Sequence, residues 1–187
     1  RPYSSVVSKL YSALEDLRFP FRLAPGGRIP ASELNALFTD WVRALGARRF
    51  FAYLHYMEPH APYSAPSPFN RRFDPDHPLP YHRRHPHYEG FLPFQRGTPL
   101  PPRARDNLIA QYDGEIAYVD EVLSELFRTL RQLGRYDQTL IIVTADHGEE
   151  FYDHGGWGHG KSLFNELLHV PLIVRDPRLA PRGTVLT

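Results

Sequence analysis

Apolar positions recur at helical spacing over residues 4–18, where Val6, Val7, Leu10, Leu14 and Leu17 share one face behind Ser4 and Ser5. Phe19-Pro20-Phe21 stops that helix, and residues 24–30 read as a turn-rich linker. A second helix is predicted over 32–45, with Leu34, Leu37, Phe38, Trp41, Val42 and Leu45 on one face. Ser32 is its natural N-cap and Gly46 stands where a left-handed C-cap falls. The run Phe50-Phe51-Ala52-Tyr53-Leu54-His55-Tyr56 is short and almost continuously apolar, which predicts a strand covered on both faces.

The period of 3.6 returns over 103–133, where Ile109, Tyr112, Ile116, Val119, Leu123, Phe127 and Leu130 form a stripe that Gly134 closes. The same spacing suits a coiled-coil seam; an amphipathic helix packed on a sheet is the simpler reading. A strand over 139–144, a helix over 162–169 and a strand over 170–174 complete the pattern, with Pro171 at a strand start or edge. Helices alternating with strands predict an α/β fold, a largely parallel sheet flanked by helices. Ligands in such sheets bind beyond the C-terminal ends of the strands.

One stretch breaks the pattern. Over 61–102 prolines recur every few residues, and His77, His82, His85 and His87 lie among Arg71, Arg72, Arg83, Arg84 and Arg96. No period survives there, which predicts either a mobile lid or a surface excursion. The histidine spacing is irregular and crowded by arginine, so a solvated loop is a better reading than a metal site.

Composition removes several classes of function. The 22 basic and 21 acidic residues nearly cancel, leaving no footprint for nucleic acid. There are no cysteines, hence no disulfides, thiolate metal sites or cysteine nucleophile. No apolar run reaches the ~18 residues of a membrane span. The N-terminus lacks the apolar core of a signal peptide and does not begin with Met, which suggests a processed or cut piece of a longer chain. At 187 residues, the chain has the length of one ordinary domain.

The candidate chemistry gathers over 139–161. The strand there ends in Asp146-His147-Gly148. Adjacent side chains on a continuing strand point to opposite faces, but Gly148 lets the chain turn, so Asp146 and His147 can converge. A carboxylate and an imidazole suit a divalent cation; the bland alternative is an Asp capping a turn over a packed His. His159 and Lys161 follow in a glycine-rich segment that permits close approach of backbone to a ligand. A His and a Lys beside a bound cation are what an anionic ester needs, charge for its oxygens and a proton for its leaving group. His60 stands at the tip of the 50–56 strand between Pro59 and Pro62.

Together these stretches carry a resemblance. FAYLHYMEPHAPY over 51–63, Tyr112-Asp113-Gly114-Glu115-Ile116 through Asp120, the segment 139–161, and Asn165-Glu166-Leu167-Leu168-His169-Val170-Pro171-Leu172 resemble, in order, the sulfatase family of the alkaline phosphatase superfamily. The resemblance covers about 32–177 apart from the variable loop. It implies an alkaline-phosphatase-like fold, here incomplete, in a single partial domain over 1–187. It implies Asp146 and His147 as metal ligands, His60 as a contact to the ester's anionic group, and His159 or Lys161 as the basic residue after the metal pair. Asp153 and His154 match an acid-His-Gly element behind the ligands. The implied ion is divalent, calcium first, with manganese, magnesium or zinc as alternatives. The implied substrate is an anionic ester, and family resemblance alone favours a periplasmic or extracellular setting.

The family's nucleophile is a formylglycine made from Cys or Ser in a Cys/Ser-x-Pro-x-Arg motif, upstream of everything matched here. Ser64-Ala65-Pro66-Ser67-Pro68 fails as that motif, with Pro68 in the arginine position and the wrong order relative to His60. The expectation is therefore the C-terminal part of a catalytic domain. The formylglycine and further metal ligands would lie in the missing part, and an exposed sheet edge would favour association. Sulfate ester hydrolysis is the leading function. Alternatives are a phosphodiesterase, phosphonate monoesterase or phosphoglycerol/phosphoethanolamine transferase of the superfamily, and a non-catalytic domain binding an anion or partner.

Overall fold

The computed structural model describes residues 29–76 and 102–179. The helix expected over 4–18 lies outside them, as do His77, His82, His85 and His87. Helix α1 runs Ala31–Leu45, α2 Pro102–Gln132 and α3 Asn165–Leu168. Strands are β1 Ile141–Thr144, β2 Glu150–Phe151, β3 Trp157–Gly158 and β4 Leu172–Arg175.

Helix α1 begins before its expected cap. Pro30 fixes φ at −57° and its carbonyl already accepts the Leu34 N–H at 3.0 Å, so Ser32 falls inside the helix. The Ala31 N–H is satisfied from far along the chain, by the Glu58 carboxylate at 3.3 Å. Gly46 ends α1 as expected by position, with the positive φ (+59°) that favours glycine, but its ψ of −125° is not that of a left-handed helical cap.

Helix α2 is the spine, and its two halves bury different things. Toward its start, Leu108 packs with Ala61, Tyr63, Phe151 and Trp157. Toward its end, Leu126 and Leu130 pack with Val42 of α1, flanked by Phe38, Trp41 and Phe50. Between them Gly114 touches the 3₁₀ turn Phe69–Arg71, where a Cβ would sit 2.7 Å from the Phe69 carbonyl oxygen. Among the described residues α2 packs on α1, that turn and β2.

Structure and sequence expectation diverge at three places here. The start of the 61–102 segment is packed, with Ala61, Tyr63 and Ala65 buried. The sheet differs more. Strand β1 pairs antiparallel with β4, Ile142 opposite Val174, and β2 pairs antiparallel with β3. Among the described residues no parallel pair occurs. A parallel pair needs a crossover that carries the chain back along the strand. Between β1 and β4 the only helix is α3, which rises about 6 Å, so the chain doubles back instead. The helix expected over 162–169 shrinks to that one turn.

Residues 50–56 form neither helix nor ladder, and Phe51 and Tyr53 are 90% and 76% exposed. An apolar run makes a buried strand only when neighbours supply hydrogen-bond partners and covering layers. Among the described residues none lie alongside. The segment is held by side chains instead: Tyr56 donates to Asn35, whose amide donates to the Val122 carbonyl at 2.8 Å. Burial, and secondarily Glu58, pushes the Tyr56 hydroxyl well above the usual tyrosine range.

Candidate active site

Three segments meet at one end of this frame: the turn after β1, the loop after β3 and the stretch following 50–56. Strand β1 delivers Asp146 and His147. The Asp146 side chain is 72% exposed and its Oδ1 accepts the His147 N–H at 3.1 Å. His147 Nδ1 lies 2.8 Å from the Gly148 carbonyl oxygen. A carbonyl only accepts, so Nδ1 carries the proton and Nε2 keeps its lone pair. That Nε2 lies 3.7 Å from Asp146 Oδ1. Two acceptors so placed cannot bond each other, but they can share a cation. Ligand atoms about 2.0–2.6 Å from one ion stand roughly 3–4 Å apart, so the pair fits two positions of a divalent ion's shell.

The loop after β3 brings His159 onto this pair. Its ring stacks on His147, centroids 4.0 Å apart and planes 29° from parallel. Its Nδ1 lies 2.9 Å from Glu149 Oε1. His60 comes edge-on to His159, centroids 5.0 Å apart, with its own Nδ1 donating to the Ala61 carbonyl at 2.7 Å. Each of the three imidazoles thus has its Nδ1 held by an oxygen. Lys161 lies on the same loop with an exposed side chain, and among the described residues no contact joins it to the three histidines.

The remaining loop residues build the frame. Glu150 is 4% exposed, and its Oε1 accepts the backbone N–H groups of His154 at 3.2 Å and Gly156 at 2.8 Å. His154 pairs with Glu166 at 2.7 Å and stacks on Phe164. Asp153 pairs with Arg105 at 2.8 Å. Asp153 and His154 therefore do not stand behind Asp146 and His147; they tie the loop to α2 and α3. Glu150, His154 and Glu166 have ligand atoms within 4.8 Å of one another. Glu150 Oε1, His154 Nδ1 and Glu166 Oε1 also hold the loop together, so this trio is a second candidate for a cation beside the Asp146–His147 pair.

Two residues at the site escape a reading by motif. Glu149 holds His159 through one carboxylate oxygen and accepts the Tyr63 hydroxyl on the other at 2.8 Å. Tyr63 is 2% exposed, packed edge-on to Tyr112 and beside Phe151 and Trp157. Burial, with the charges of Glu149 and Asp113 adding to it, pushes the Tyr112 hydroxyl up. Glu149 and Tyr63 are far apart in sequence, so only the folded chain shows that they share a proton.

Comparison with known proteins gives this geometry a family. The chain is 30% identical over 171 residues to the multifunctional alkaline phosphatase superfamily protein PehA of Trinickia caryophylli, an alignment covering 76% of this chain and 32% of that protein. A shorter stretch of 71 residues is 37% identical to arylsulfatase K of Bos taurus, covering 38% of this chain and 13% of that one. The fold superposes on the solved phosphonate monoester hydrolase of Silicibacter pomeroyi with a TM-score of 0.63 and 28% identity, over 92% of this chain and 42% of that one. The chain thus spans less than half the length of these relatives. Residues 14–185 match the sulfatase family profile, and the chain belongs to the sulfatase family of the alkaline phosphatase superfamily.

Proposed function

We propose that this chain supplies one side of the active site of a metal-dependent ester hydrolase, with a sulfate ester as substrate. The observation that carries the reading is the convergence of His60, His147 and His159 beside an Asp146–His147 donor pair 3.7 Å apart. Asp146 Oδ1 and His147 Nε2 would hold a divalent ion, calcium first. When bound, such an ion supplies positive charge to the ester's non-bridging oxygens.

The chain's own residues do the rest. Gly148 keeps the Asp146–His147 turn pressed against α3, its N–H donating to the Leu167 carbonyl at 2.9 Å. His159 and His60, with Nδ1 engaged, present Nε2 as the atom that takes up a proton and releases it to a leaving alkoxide. Of the two basic candidates after the metal pair, His159 is the one whose ring lies on His147. Lys161, being exposed, suits an outer contact to the anionic group.

A second reading has a specific observation behind it. The structural match to a phosphonate monoester hydrolase favours phosphorus as the reacting centre. The test is turnover by the intact natural protein on nitrophenyl sulfate and on a nitrophenyl phosphonate monoester. Asp146→Asn and His159→Ala should each lower kcat about 10²–10⁴-fold on the preferred substrate. A chelator should abolish activity, and calcium should restore it. Unchanged turnover in both variants would overturn the reading; a preference for the phosphonate would move it to phosphorus.

A further inference from the structure

The geometry points to Glu149 as the positioning residue of His159, with Tyr63 holding Glu149 in turn. This inference rests on the proposed role of His159 and deepens it. Glu149 follows directly on the Asp146-His147-Gly148 turn and precedes β2. Its side chain is 6% exposed, and its two oxygens face different parts of the site. Oε1 meets His159 Nδ1 at 2.9 Å and Oε2 accepts the Tyr63 hydroxyl at 2.8 Å. Tyr63 lies three residues beyond His60. One carboxylate therefore ties together the segment of the cation ligands, the loop of His159 and the segment of His60.

A carboxylate facing an imidazole selects a tautomer. An ionised carboxylate only accepts, so the proton of His159 sits on Nδ1 and Nε2 becomes the working nitrogen. Without that partner, the ring distributes its proton over both nitrogens and is free to rotate about its side-chain bonds. The stack on His147 constrains the ring plane but cannot distinguish the nitrogens. Tyr63 answers the same question one step back. With its hydroxyl on Oε2 and its ring in the core, it leaves the carboxylate one orientation, Oε1 toward His159. Neighbouring carboxylates have other work: Glu150 holds backbone amides and Glu166 holds His154.

The experiment uses the intact natural protein with Glu149→Ala, Glu149→Gln, Tyr63→Phe and His159→Ala. The readouts are steady-state kinetics on the better of the two nitrophenyl substrates, imidazole nitrogen-15 shifts for His159, and the melting temperature. Glu149→Ala should lower kcat about 10–100-fold, the range for partners lying behind active groups, with KM nearly unchanged. His159 should pass from one tautomer to a mixture. Glu149→Gln, whose amide oxygen can still accept from Nδ1, should recover most of the activity, and Tyr63→Phe should lose several-fold. If Glu149→Ala changes only the melting temperature, with kcat and the tautomer as in the natural protein, Glu149 is structural and the inference is wrong. Should Glu149→Ala fail to fold, Tyr63→Phe decides through the same signal: a His159 tautomer mixture with lower kcat supports the inference, and the natural tautomer with natural kcat overturns it. Loss of activity in His159→Ala with full activity in Glu149→Ala overturns the positioning role alone. Full activity in both overturns the reading of the site beneath it.

Discussion

At the scale of single residues, the site depends on contacts too close for a side chain to intrude. Gly148 is the sharpest case. A Cβ there would lie 1.9 Å from the Glu166 carbonyl oxygen and 3.0 Å from its carbon. The obstacle is backbone, which cannot swing aside as a side chain would. Gly148→Ala should destabilise the protein by about 1–3 kcal/mol through overpacking, read as a lower urea midpoint. It should also weaken metal binding, because relief requires moving either α3 or the Asp146–His147 turn. A variant with unchanged midpoint and metal affinity would show that the turn is not pressed on α3. The sequence suggested Gly148 for a different reason, freedom to turn; Gly148 is absent from the glycines with positive φ. Residue type signals that a glycine is needed, but a close approach to another segment has no local signature. The same holds for Glu149 and Tyr63, 86 residues apart. By contrast Asp146, His147 and His159 stood out as chemically able residues just beyond an apolar run and among glycines, and the family resemblance singled out His60.

At the scale of elements, α2 shows what periodicity carries and what it leaves out. The apolar stripe over 103–133 gave the helix within one residue of its observed span, Pro102–Gln132. It could not say what the stripe faces, because a period describes one helix and a partner belongs to another. The answer has a measurable consequence, since the two ends of α2 support different things. Leu108 is fully buried in the cluster with Tyr63, whereas Leu126, 6% exposed, lies in the cluster with Val42 and Leu130. Leu108→Ala and Leu126→Ala should each cost about 2–5 kcal/mol in chemical unfolding, as truncated core leucines do. Only Leu108→Ala removes packing from the residue that holds Glu149. Assayed well below its melting temperature, it should therefore lose several-fold in kcat, while Leu126→Ala keeps the natural value. Equal losses in the two variants would mean that the site senses stability as a whole rather than the cluster beneath it.

At the scale of the whole molecule, one contiguous part of the exposed apolar surface among the described residues lies on the β1–β4 pair. Ile142, Leu172, Ile173 and Val174 of β1 and β4 are each more than half exposed, and Phe51 and Tyr53 of the unladdered 50–56 segment more so. The hydrophobic pattern read residues 50–56 as a strand covered on both faces, and the strands over 139–144 and 170–174 are equally apolar: such runs are written for burial. A pair of strands lacks the layers and neighbours to bury them. Apolar surface and unpaired strand edges favour pairing with another chain, so the 187-residue chain alone should self-associate with rising concentration. The register supplies a specific test. Ile142 faces Val174 across the β1–β4 pair, so Ile142→Glu with Val174→Lys sets opposite charges side by side, an arrangement that cross-strand pairs tolerate. In sedimentation velocity the double variant should remain monomeric at concentrations about tenfold above those at which the natural chain forms larger species, with an unchanged circular dichroism spectrum. Association as strong as that of the natural chain would place the sticky surface elsewhere, and the 50–56 segment, tested by Phe51→Lys, would be the next candidate.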